Sequence, residues 1–412
     1  MRTHVLFISV LCAFSSIFLL SQASAKTINE INQIKVSSPS FLNVINSTVP
    51  SSVAVSSFKV NLMRKNAYHI GLLSDANKTF NEDIIDTDII WPNEITYLPQ
   101  KVFGQEGLLV ASGFFDVIPL KHNSTGAVSF VDNTTHTSHK LTEDKTGFYY
   151  HKAIWVDLYG NGHYGVLTAR TNSSPLKRKE SELVYLTPSK NDPTSFPWNE
   201  KVIYSGGADT AFIVSDMDLD SIQEIYAAEY FNKALSVTFY RNGKWNRRVI
   251  DNSIDHAFNL EIADLNNSGQ PSLLVTNHTK DEKNAGVYAY QLSNDIESGQ
   301  FTKHVLATGF KTIKGGFGQA APGKATPFFL SKNRKQKPSI LVDGDGAETV
   351  TLLTPNSQDI NDWSYSKSLI FKSSKNSIIG QSAIINAHAN YPTKIFTPEY
   401  GNNKVHVFEV KN

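Results

Sequence analysis

Three observations predict that this chain is all-β, a β-propeller of seven four-stranded blades closed by its N- and C-terminal strands. Short apolar strands follow one another through most of its 412 residues, an Asp-headed polar loop recurs at one place in the pattern, and the whole pattern repeats. Propellers are built this way, each repeat of roughly 40 to 50 residues supplying one four-stranded sheet.

The repeat is plainest in Ile154–Thr168, Ile213–Ala227 and Leu260–Thr276. In each, a short apolar strand enters a loop headed by Asp157, Asp216 or Asp264, and a second apolar strand follows. A third, alternating run comes next (Leu183–Leu186, Leu235–Tyr240, Gly286–Leu292), then a fourth opened by Trp198, Trp245 or Phe301. Alternation of apolar and polar residues is the signature of a half-buried strand.

Weaker copies extend the series. Downstream lie Pro338–Val342, Glu348–Leu353, the strand after Trp363, Ile395–Thr397 and Val405–Phe408; upstream, Ala67–Leu72 and Gly107–Ser112 read as second strands. Loop heads then fall near positions 59, 99, 157, 216, 264, 331 and 385, which gives seven units. The last unit ends after three strands near Val410, so a strand near Phe41 to Ile45 is expected to complete it and remove two open sheet edges. Consecutive β-sandwich domains would supply the strands but not the recurring loop.

The ends and composition limit the setting. Arg2 and His4, the apolar run Val5–Leu20 and the small residues Ala23-Ser24-Ala25 have the layout of a cleavable secretory signal, so residues 1–25 read as signal peptide and 26–412 as one propeller domain. No later stretch is long and apolar enough to span a bilayer. Removing Arg2 leaves 38 basic against 38 acidic residues, which gives no basic excess for nucleic acid. Cys12, the only cysteine, lies in the signal, so a mature chain has no disulfide or thiolate chemistry. Sequons at Asn46, Asn77, Asn123, Asn133, Asn172, Asn266 and Asn277 fit a glycosylated, secreted protein.

The loops suggest a metal. Calcium takes several oxygen ligands, and alternate oxygen-bearing residues on a tight loop aim at one point. Asp216, Asp218 and Asp220, with Glu224 beyond, are the strongest set; crowded carboxylates repel unless a cation sits among them. Asp264, Asn266 and Ser268, with Ser272, keep the oxygens with less charge, and Asp157 and Asn161 form a thinner third set. Ser331–Lys335 carries cations where ligands belong. Each loop can also be read as a plain polar turn.

These loops resemble the FG-GAP/VCBS repeat of integrin-type propellers, whose calcium loops read D-x-D-x-D-G before a strand. Asp216, Asp218, Asp220 and Glu224 stand at its acidic places, Ser221 replaces the usual glycine, and Gly162 and Gly269 keep it. The resemblance is close over about 157–292 and looser elsewhere. It implies structural calcium and a recognition or adhesion role, as in adhesion receptors and fungal lectins. Trp245–His256 leading to Asp264 is also similar to repeats of aldos-2-ulose dehydratase and polysaccharide lyases, which implies a carbohydrate-active alternative.

With the loops on one face, residues entering first strands or leaving second strands gather at the opposite mouth. His151, Asp209 and His256, with Glu229, His278, Asp343 and Glu399, are therefore the candidates for ligand binding or acid–base work, although ring geometry alone would also collect hydrated polar groups there. Trp91, Tyr149, Tyr150 and Tyr400 are candidate stacking surfaces for sugars. Neither a G-x-S-x-G elbow nor an H-E-x-x-H helix occurs. Asp343–Gly346 imitates a calcium loop but reads first as a tight turn. The sequence therefore points to a secreted, calcium-binding recognition protein for a glycan or extracellular protein, with a lyase- or dehydratase-like enzyme as the alternative.

Overall fold

The structure is a computed structural model that describes residues 27–45, 52–59, 67–76, 79–114, 125–172, 180–313, 319–374, 377–388 and 391–411. Seven antiparallel four-stranded sheets form a β-propeller. Blade 1 comprises Pro39–Val44, Ser52–Lys59, Ala67–Ala76 and Thr79–Asp86, and blade 2 Pro92–Leu98, Gly107–Ser112, Val128–Asp132 and Ser138–Lys140. Blade 3 comprises Phe148–Val156, Gly165–Asn172, Ser181–Thr187 and Asn199–Ser205, and blade 4 Ala211–Ser215, Glu224–Glu229, Ala234–Arg241 and Lys244–Asp251. Blade 5 comprises Ala257–Ala263, Ser272–Asn277, Gly286–Gln291 and Thr302–Thr308, and blade 6 Ala325–Phe328, Ser339–Asp343, Thr349–Pro355 and Tyr365–Lys372. Blade 7 takes Ala383–Ile385, Lys394–Glu399 and Lys404–Lys411 from the C-terminus and Thr27–Lys35 from the N-terminus.

The core is divided into seven clusters, one between each pair of neighbouring blades. A second strand is therefore buried on both faces, and Gly165–Asn172, Glu224–Glu229 and Ser272–Asn277 are buried at every position. Leu273 and Val275 pack toward blade 4 while Leu274 packs toward blade 6. That is why second strands read as continuous apolar runs whereas outer strands alternate.

Two expectations are corrected. Ring closure uses Thr27–Lys35, paired with Lys404–Lys411; Phe41 to Val44 belong to the first strand of blade 1. The closing strand escaped notice because an outer strand needs only one covered face, and TINEINQIK carries just three well-separated isoleucines. Ala67–Ala76 is a third strand, so position 59 ends a second strand and heads no loop. The true second strand is serine-rich, yet Ser56 and Ser57 are 0% and 1% exposed, small residues where blades crowd together. The other six loop heads fall on turns between first and second strands.

Closure is also held by side chains. His406 sits between Glu30 of the closing strand, at 2.8 Å, and Glu399, at 3.1 Å. Among the described residues no helix is long and apolar enough to cross a membrane. Residues 1–25, read above as a signal, lie outside the described residues.

Candidate functional site

The Asp-headed turns lie together on one face. Gln223 N–H donates to Leu158 O across blades 3 and 4 at 3.0 Å, and Gly160 lies so close to Ser221 that a Cβ would meet its carbonyl oxygen. Each head aspartate first organises its own turn. Asp157 accepts N–H groups of Asn161 and Gly162 at 3.1 and 2.7 Å, and Asp264 those of Ser268 and Gly269 at 3.0 and 2.8 Å. Asn161 Oδ1 accepts from His163 N–H, and Asn266 Oδ1 from the Ser268 hydroxyl. The oxygens of these two loops are thus largely satisfied locally.

The Asp216 loop differs. Asp216 Oδ2 accepts the Ser221 N–H at 3.0 Å, but Oδ1 is buried without a hydrogen-bond partner. Ligand oxygens of Asp216, Asp218 and Glu224 lie within 4.8 Å of one another. Burial, then the charges of Asp220 and Asp216, push the Glu224 carboxyl up to about 7. Arg241 contacts both Asp218 and Asp220, so part of the repulsion is already offset. This donor set, hard oxygens with one orphan aimed inward, fits a divalent cation such as calcium. Asp220 faces Arg241, outside the converging trio.

At the opposite mouth, left-handed residues turn the chain into its first strands: Ser38, Trp91, Gly147, Ala208 and Asp255 all have positive φ. Bulges then follow in the first strands of blades 1, 2, 3 and 5, displacing Ser40, Asn93-Glu94, His151 and Phe258 from regular pairing. A bulge re-aims a side chain, and here it turns His151 and Glu94 inward. Lys152 Nζ is 3.0 Å from Glu94, and Lys324 Nζ is 2.9 Å from Glu261. Glu94 and Lys324 stand on blades 2 and 6, as far apart as a seven-membered ring allows, yet each shifts the other's ionisation, so the network crosses the axis. Burial would raise the Glu94 carboxyl, but Lys152 and Lys324 together hold it below the usual range. Burial pushes His151 down to about 4, leaving a neutral ring with a buried, unpartnered Nδ1.

Around these charges run two aromatic arcs. Tyr400, Phe58, Phe41 and His151 follow one another at centroid distances of 6.2, 6.2 and 5.7 Å, and Phe114 continues the arc 5.3 Å from His151. Across the mouth, Phe231, Tyr230 and His256 are linked at 5.1 and 4.5 Å, and Phe258 stacks on His278 at 4.3 Å. Trp91, Tyr149 and Tyr150 are 5%, 3% and 0% exposed; they pack between blades and are not open stacking surfaces, whereas Tyr400 is half-buried.

Other candidates separate by what they touch. Asp209 is buried and accepts N–H groups of Tyr230, Phe231 and Asn232, tying down the turn that carries an aromatic arc. Glu229 reaches outward to Arg247 of the outer strand with two 2.7 Å bonds, and Glu399 to His406. These two leave the channel. His151, His256, His278 and Asp343 remain at it, joined by Glu94, Lys152, Glu261 and Lys324, which sequence reasoning passed over, and by Asp345, which it read only as part of a tight turn. Lone charges on strands carry no motif, and only the ring brings them together.

Of the sequons, Asn46, Asn77 and Asn123 lie outside the described residues. Asn133 is partly exposed on a turn, while Asn172, Asn266 and Asn277 are 9%, 5% and 0% exposed. Asn277 Nδ2 donates to Ile254 and Asn284 carbonyls, so both its hydrogens are engaged and a glycan would break one bond. The chain matches no known family model and none of the curated proteins.

Proposed function

We propose that this propeller is a secreted recognition protein that holds a glycan at its channel mouth and carries a structural calcium on the opposite face, and that its loops belong with the FG-GAP/VCBS repeats. The observation that carries this reading is the pair of half-buried aromatic arcs facing each other across a charged channel. Flat apolar rings flanked by fixed polar groups suit sugar faces and their hydroxyls. Binding is favoured over catalysis because three of the four carboxyls expected to do acid–base work, Asp209, Glu229 and Glu399, are spent on turns and ion pairs, and the fourth, Asp343, is buried against Ser382. Cleavage after Ala25 would leave the closing strand, from Thr27, whole.

The test is a glycan array on the deglycosylated protein, repeated after chelation of divalent metal. Sugars should bind without turnover, and Tyr230→Ala should weaken them about tenfold, the usual size of one lost stacking contact. Chelation should lower the melting temperature of the parent protein but not of Asp216→Asn. Product formation abolished by His151→Ala or His256→Ala would establish the enzymatic alternative instead.

A further inference from the structure

Among the described residues, charges in the channel do not balance. Lys152 and Lys324 answer Glu94 and Glu261, and the Asp343 carboxylate accepts the N–H and hydroxyl of Ser382. Asp345, two residues further on, has no such cover among the described residues. Its side chain is 21% exposed, and the nearest basic nitrogen, His278 Nε2, is 3.7 Å away. That nitrogen already accepts the Ala320 N–H at 3.1 Å while Nδ1 lies 3.0 Å from Pro322 O, so both ring nitrogens have partners of their own and neither makes a hydrogen bond to Asp345.

The backbone presents Asp345 at a cost. It is a non-glycine residue at φ 48°, between Gly344 and Gly346, and its carbonyl is pinned by Glu348 and Ile379 N–H groups. Strain of this kind persists where the surroundings over-determine a conformation, often at ligand sites. Around the carboxylate stand π faces: Phe258 stacked on His278, Tyr230 at 6.1 Å from His278, and His256 on Tyr230. The charge of Asp345 is felt at the Tyr230 phenol, after burial and Asp255. One residue beyond Phe258, Asn259 Oδ1 is buried without a hydrogen-bond partner.

An open carboxylate, an unanswered amide oxygen and electron-rich rings are acceptors awaiting a cationic donor. Neutral hydroxyls would bond to Asp345 but leave its charge uncompensated. We propose that Asp345, Asn259, Tyr230 and Phe258 form a subsite for an ammonium-bearing sugar, a glucosamine-type unit of the glycan. This rests on the mouth being a glycan site and names the sugar chemistry that it selects.

The experiment is calorimetric titration of the full mature chain with glucosamine tetramer, its N-acetylated counterpart, cellotetraose and tetralysine, each repeated on Asp345→Asn. Asparagine has the same shape and tolerates a left-handed backbone, so this variant keeps the fold. Tyr230→Leu tests the aromatic wall separately. The parent should bind the amino tetramer at least about tenfold more tightly than either neutral oligosaccharide, and both variants should lose about tenfold for it. Equal affinity for charged and neutral oligosaccharides, or a preference that survives Asp345→Asn, would overturn the subsite and leave the glycan reading standing. Binding of tetralysine alone, or of none of the four, would overturn both.

Discussion

Asp343 shows how burial alone sets a residue's behaviour. It is 1% exposed, and burial pushes its carboxyl up to about 7, opposed by Ser382 and Lys324 and reinforced by Asp345. A folded value above the unfolded one near 3.8 means that the native state holds this proton more tightly. Its contribution to stability is therefore fully present below about pH 4 and is lost as the pH rises through about 7. Asparagine can keep both contacts to Ser382 and cannot ionise. Denaturant unfolding between pH 4 and 8 should show the parent losing on the order of 3 kcal/mol relative to Asp343→Asn, and parallel curves would refute the account. Asp216, Asp218 and Glu224 were legible from spacing because these carboxyls lie within nine residues of one another on a single loop. Asp345 was visible only as a turn residue, since its partners come from blades 4, 5 and 6.

At the scale of elements, outer strands share a device that alternation does not reveal. In blades 1, 3, 4, 5 and 6 the register slips by one residue, skipping Ile85, Ile203, Ile250, Leu306 and Ile370, and Ile31 is skipped in the closing strand. The bulge bends each edge and leaves an exposed aliphatic neighbour, such as Val305 at 57%, beside a covered one, Leu306 at 5%. Bulged edges resist pairing with other chains, which protects a molecule with so many outer strands. Leu306→Ala should cost about 2 to 4 kcal/mol in chemical unfolding, and Val305→Ala less than about 1. Similar losses at both positions would mean that the strand does not bulge there. A sequence shows the polar-apolar rhythm of these strands; the slip depends on which neighbouring strand supplies the pairing groups.

At the scale of the molecule, stability depends on an unbroken ring. Ile34 and Val36, at the end of the closing strand, pack with Leu42 and Val53 of blade 1 and Val405 and Val407 of blade 7. Deleting residues 27–35 would bare the edge of Lys404–Lys411 and part of that cluster. Such a protein should melt at least about 5 °C lower and form oligomers on size-exclusion chromatography, and an unchanged, monomeric product would show that closure contributes little. Sequence by itself determined the number of blades, the strand order within most of them and the face that bears the acidic turns, because these follow from local alternation and from acidic residues a few positions apart. Only the tertiary structure decided which N-terminal segment closes the ring, which carboxyls are spent on the frame, and which charges meet across the axis. Those outcomes depend on contacts between residues hundreds of positions apart, and no local pattern encodes them.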